Sequence, residues 1–130
     1  MYAVLGFVSL ALFIIVTAPY WFRRLNQWFF HLKGPGFTKF MKGLRLIHKP
    51  LGAAFVIVPA IHGYLAMGGF RLHTGTILWF FVVITAAAGH TFYLFKKPGL
   101  LRVHRILALV TFCFILVHLF VPNLIYYITA

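Results

Sequence analysis

The sequence predicts an all-α membrane protein, a four-transmembrane-helix bundle with an interfacial amphipathic segment after the first span. Three observations predict it. The chain is 63% hydrophobic and contains no Asp or Glu. Only 9% of its residues are charged, against about 25% in a soluble domain. Four apolar stretches reach the roughly 20 residues that a bilayer core demands. Residues 1–130 read as one domain.

The spans fall near residues 2–20, 50–68, 73–95 and 102–122. Between the first two, Tyr20 to Leu32 is amphipathic and rich in rings, with Trp21, Phe22, Trp28, Phe29 and Phe30 beside Arg23 and Arg24. That composition predicts a segment lying in the interface, rings down and cations up. Gly34-Pro35-Gly36 breaks it, and Lys97-Pro98-Gly99 separates the third and fourth spans. Pro50 disfavours helical geometry at Lys49 and predicts a helix start near His48. Pro59 predicts a kink further along.

Charge placement predicts the orientation. Arg23, Arg24, Lys33, Lys39, Lys42, Arg45 and Lys49 precede the second span, and Lys96, Lys97, Arg102 and Arg105 lie around the third connection. The remaining loop holds Arg71 alone. By the positive-inside rule, both basic regions face the cytoplasm and both termini face out, as expected in a bacterial or archaeal cytoplasmic membrane. Nucleic acid is excluded as a partner, because the cations sit only at the ends of apolar runs. Membrane lipid is the expected surrounding. Residues 1–20 lack the basic start of a secretory signal, and the lone Cys113 reads as a packed thiol.

The histidines carry the chemistry. His48 and His62 are 14 positions apart, and so are His104 and His118. Fourteen residues rise about 21 Å and come within about 40° of whole turns, so both members of a pair face one way at different depths. The predicted topology makes spans two and four parallel. His48 then matches His104 in depth, and His62 matches His118. Two such helices side by side offer two stacked bis-imidazole sites, which is what a transmembrane pair of b haems needs. The spans also read as a diverged repeat offset by 56 residues, Ile47-His48-Lys49-Pro50-Leu51-Gly52 paralleling Val103-His104-Arg105-Ile106-Leu107-Ala108. Gly52 and Ala108, one turn after a histidine, leave room for a flat macrocycle or for close helix packing.

The other polar residues read around these pairs. Arg45, Lys49, Arg102 and Arg105 are the candidate partners of haem propionates at the inner site, and Arg71 with His73 at the outer one. The same cations also serve as topology signals and headgroup contacts. His31 reads as a headgroup contact. His73 reads as a proton-handling group near a quinone or a helix-start residue. His90 follows the thin stretch Ala86-Ala87-Ala88-Gly89, which makes space beside the inner site.

At these residues the chain resembles two families. Paired histidines with thirteen residues between them, on parallel helices, are similar to the dihaem core of ferric reductase and NADPH oxidase membrane domains. Arg45-Leu46-Ile47-His48, Gly52-Ala53 and His62 are similar to the first ligand helix of the cytochrome b haem core in quinol–cytochrome c oxidoreductases, and Val117-His118-Leu119 to its second. The resemblance covers about a third of the chain. It implies His48 with His104 and His62 with His118 as the ligand pairs of two haem b groups. Both families use longer membrane domains, and neither a flavin nor a nicotinamide domain fits here.

The expectation is a dihaem cytochrome b subunit carrying electrons across the bilayer, not a complete enzyme alone. Its basic cytoplasmic face would steer an acidic flavin or iron–sulfur subunit of a redox complex. A quinone or an extracytoplasmic carrier would serve the other end. The competing classes are a chlorophyll-type pigment subunit, which needs one imidazole per macrocycle, and a purely structural subunit.

Overall fold

Proline and glycine set the helix boundaries. In the computed structural model, which describes residues 1–130, α1 spans Tyr2–Leu25, α2 Pro35–Met67, α3 Thr74–Phe95, α4 Pro98–Phe120 and α5 Leu124–Thr129, with no strand. The first four are long and apolar enough to cross a membrane, in agreement with the expected four-helix, all-α architecture. Pro35 and Pro98 sit in the first turns of α2 and α4, where the missing N–H is not needed. Gly68, with φ 65°, ends α2 in the left-handed conformation that glycine adopts without strain.

One local expectation differs from the structure. α2 has 33 residues and runs through both Pro50 and Pro59, so His48 lies inside a helix instead of at its start. Basic and apolar residues from Phe37 onward extend the helix by nearly four turns before Pro50. The ring-rich segment after the first span is helical as well. It continues α1 as a π-helical turn over Asn26–Phe30 that ends at His31, φ 51°. The Asn26 side chain then clasps the chain, its Nδ2 donating to the Leu32 carbonyl at 3.1 Å and its Oδ1 accepting from Leu32 N–H at 2.7 Å.

The helices pack as two antiparallel hairpins, α1 on α2 and α3 on α4, with a narrower contact between α2 and α3. The histidine-bearing helices α2 and α4 share little close backbone contact. The core is one residue from each long helix: Phe13, Phe55, Val82 and Ile115. The Phe13 ring stacks on Phe112 at 6.0 Å and tilts against Phe55 at 5.8 Å. Phe55 lies midway between His48 and His62, and the buried Thr111 midway between His104 and His118. An aromatic layer therefore separates the two histidine levels.

Only seven of 130 residues are buried, and many large apolar side chains are exposed, as suits a bundle surrounded by lipid. Polar groups are satisfied within the bundle, as a hydrocarbon surrounding demands. Ser9, Thr17, Thr85, Thr91 and Thr111 each donate a hydroxyl to the carbonyl four residues earlier. The Trp79 indole donates to the Val56 carbonyl at 2.9 Å, tying α3 to α2. No buried side-chain nitrogen or oxygen lacks a partner.

Candidate functional site

The bundle brings the four paired histidines together as expected from their spacing. His48 faces His104 with ring centres 6.1 Å apart and planes at 85°. His62 faces His118 at 6.5 Å and 77°. All four rings are half-buried. Because α2 and α4 are held apart by α1 and α3, each pair closes across the interior from opposite sides.

Each ring is oriented by the other helix of its own hairpin. His48 Nδ1 lies 2.7 Å from the Val16 carbonyl, His62 Nδ1 2.7 Å from the Tyr2 carbonyl, and His104 Nδ1 2.8 Å from the Thr85 carbonyl. A carbonyl can only accept, so Nδ1 carries the proton in all three. His118 Nδ1 lies 3.0 Å from Thr74 Oγ1, whose own hydroxyl faces the Pro122 carbonyl at 2.7 Å. The single hydroxyl proton goes to that carbonyl, so His118 also donates from Nδ1. Each Nε2 is left unprotonated with a free lone pair, the form of imidazole that binds metals.

The helix surface explains how a ring reaches a carbonyl already used in a helix. A Cβ tilts toward the helix N-terminus and covers the turn before it. Without a side chain at position i+4, the carbonyl at i is open to a second donor. Gly6 follows Tyr2 by four, and Gly89 follows Thr85 by four. A Cβ on Gly6 would stand 3.0 Å from His62 Cε1, and one on Gly89 would stand 2.9 Å from both Cε1 and Nδ1 of His104. Gly75 supports His118 in the same way, at 3.0 Å from Cε1. Near Val16 the helix contains Pro19, whose missing N–H leaves the adjacent Ile15 carbonyl without its helical donor.

The remaining predicted residues are placed less tightly. An added Cβ on Gly52 would meet nothing within 4 Å, so space is open one turn beyond His48. Lys49 Nζ lies over the Tyr93 ring at 3.2 Å, with Lys96 Nζ at 4.3 Å from the same ring. Arg45, Arg102 and Arg105 are exposed on α2 and α4, and Arg71 is exposed in the α2–α3 loop. His90 lies beside Tyr93 at 6.5 Å; it is its neighbour Gly89 that touches His104. His73 caps α3, its Nδ1 accepting from Gly75 N–H, and its ring stands 5.9 Å from His118. No group of three or more His, Cys, Asp or Glu side chains converges to hold a metal ion. The sites are pairs.

Sequence reasoning missed the orienting partners. Backbone carbonyls leave no mark in a sequence, but their glycines do: Gly75 and Gly89 are 14 apart, like the histidines they touch. The comparisons with known proteins add no relative. No family model, no curated protein and no solved structure matches this chain.

Proposed function

We propose that this chain is a dihaem membrane cytochrome b, the electron-carrying subunit of a larger redox complex. The observation that carries the reading is the two facing imidazole pairs, each ring turned by an Nδ1 hydrogen bond so that Nε2 is free. A metal–imidazole bond of about 2 Å, with roughly 1 Å from ring nitrogen to ring centre, puts two imidazoles on opposite faces of one ion roughly 6 Å apart. The 6.1 and 6.5 Å separations fit that value. Two protein ligands suit a metal whose own macrocycle fills the other positions.

In this reading His48 and His104 hold the inner haem, and His62 and His118 the outer one. A b haem supplies a one-electron ferric–ferrous couple, and imidazoles on both faces leave the iron no open position for substrate. The chain's work is placement. It holds two sites at depths about 21 Å apart along the helices, and keeps water out between them with Phe13, Phe55 and Phe112. Gly52 gives the inner macrocycle clearance. Arg45, Lys49, Arg102 and Arg105, with Arg71 at the outer rim, are the cations offered to propionates.

The basic connections face the cytoplasm and both termini face out. An acidic flavin or iron–sulfur subunit docks at the cytoplasmic side, and a quinone or an extracytoplasmic carrier at the other. A pigment protein needs no facing partner for each imidazole, so the paired rings at both levels weigh against that reading.

The test is a pyridine haemochrome assay with reduced-minus-oxidised spectra on the purified chain and on His62→Ala and His118→Ala. Two non-covalent b haems, falling to one in either variant, support the proposal. No haem, or haem content indifferent to both substitutions, refutes it.

A further inference from the structure

Three of the four paired histidines lean on backbone carbonyls, and one leans on a side chain. The exception follows from how the two hairpins repeat. Val16 and Thr85, the acceptors for the inner pair, are 69 positions apart, and so are Gly6 and Gly75, which touch the outer pair. The same offset carries Tyr2, the acceptor for His62, onto Arg71. Arg71 cannot play that part. α3 begins only at Thr74, and the Arg71 carbonyl lies in the preceding loop, where the Thr76 hydroxyl donates to it. His118 would be left without an acceptor.

We infer that Thr74 is the positioning residue of the outer site, its hydroxyl replacing the missing carbonyl and fixing the tautomer and orientation of the His118 ring. Thr74 is 4% exposed. Its Oγ1 accepts from His118 Nδ1–H at 3.0 Å and donates to the Pro122 carbonyl at 2.7 Å. Gly75, the next residue, supports the ring edge. Position 74 thus holds the start of α3, the end of α4 and the outer imidazole in one relay. Second-sphere partners of this kind typically change metal affinity about 10–100-fold. The outer site is the one of the two at which a side chain orients a histidine.

The redox consequence rests on the dihaem proposal, whereas the hydrogen bond does not, and the experiment separates them. Wild type, Thr74→Val and Thr74→Ser are prepared as full chains in lipid vesicles with ¹⁵N-histidine, any bound haem held in the diamagnetic ferrous state. The Nδ1–H proton and nitrogen shifts of His118 are read by NMR, assigned with His118→Gln. Haem retention at each site is then titrated. T74V should move the His118 Nδ1–H signals and weaken one haem about 10–100-fold, leaving the His48 and His104 signals in place. T74S should resemble wild type in both readouts. An unmoved His118 signal in T74V, or equal damage in T74S and T74V, overturns the assignment. A chain that binds no haem refutes the dihaem proposal, and the NMR shifts still decide Thr74. If T74V misfolds, with its inner-pair signals lost, the wild type decides: a His118 lacking a proton on Nδ1 overturns the inference.

Discussion

Adding one methyl group at Gly89 should unseat His104. A Cβ there would stand 2.9 Å from two atoms of the His104 ring. Ordinary carbon contacts lie near 3.5–4.0 Å, so the ring must retreat by about 0.6–1.1 Å. Its Nδ1 now sits 2.8 Å from the Thr85 carbonyl, and a retreat of that size carries it past the roughly 3.2 Å limit of a good N–H···O bond. Overpacking costs about 1–3 kcal/mol and an unpaired buried donor about 1–3 kcal/mol. Alanine's better helix propensity returns at most about 1 kcal/mol. Gly89→Ala should therefore lower stability by about 1–5 kcal/mol and loosen the inner haem while sparing the outer one. Gly52→Ala is the matched control, because nothing of the protein lies within 4 Å of its added Cβ. Without haem it should be neutral or stabilising, by at most about 1 kcal/mol. With haem it should crowd the macrocycle at the same inner site. Denaturation midpoints with and without haem, together with haem stoichiometry, separate the two. The reasoning fails if G89A keeps a wild-type inner site, or if G52A destabilises the haem-free chain as much as G89A does.

Thr85→Val tests the backbone assignment, because His104 uses the Thr85 carbonyl and not its hydroxyl. It should lose the Thr85 hydroxyl's bond to the Phe81 carbonyl and its 3.0 Å contact with the Thr111 hydroxyl, about 0.5–1.5 kcal/mol for each by denaturation, with both haem spectra unchanged; a shifted inner spectrum would contradict the assignment. Electron delivery from an acidic partner to the eleven-cation face should slow steeply between low and physiological salt, where the Debye length falls toward about 8 Å, and stopped-flow rates at two ionic strengths check this. Native Cys113 is exposed on the surface of α4 and not the packed thiol expected from its apolar surroundings in sequence. In a Cys113→Ala background, a cysteine at Phe70 should react with an impermeant maleimide from outside intact cells, and one at Lys97 only after lysis. The reverse pattern would invert the topology.

The spans and the histidine pairs were legible because each rests on one-dimensional quantities: run length, charge position and a 14-residue interval. The start of α2 was not. Pro50 carries a local preference against helix, yet α2 passes through it because packing on α1 extends to both sides of the proline. The conformation of the segment after the first span was not legible either. Its rings and cations describe where it would sit in a membrane, and composition cannot tell a separate helix from a π-helical continuation of α1.

The orienting shell was half legible, and the missing half is instructive. Ligand helices repeat at an offset of 56 and their supporting helices at 69. The difference of 13 residues is the extra length of the first hairpin's connection, where Asn26 clasps Leu32 and Pro35 restarts the chain. At the opposite end, α1 starts at Tyr2, about one turn beyond the point equivalent to Thr74, where α3 begins after its loop. That single turn decides whether an outer histidine finds a carbonyl. His62 finds one on Tyr2, and His118 finds none. The hydroxyl of Thr74 stands in its place, beside a glycine that alone among residues would let the ring approach so closely. The hairpins are thus equivalent in how they present imidazoles and unequal in how they tune them. A difference between the two sites then follows from where the two supporting helices start, without any change of ligand.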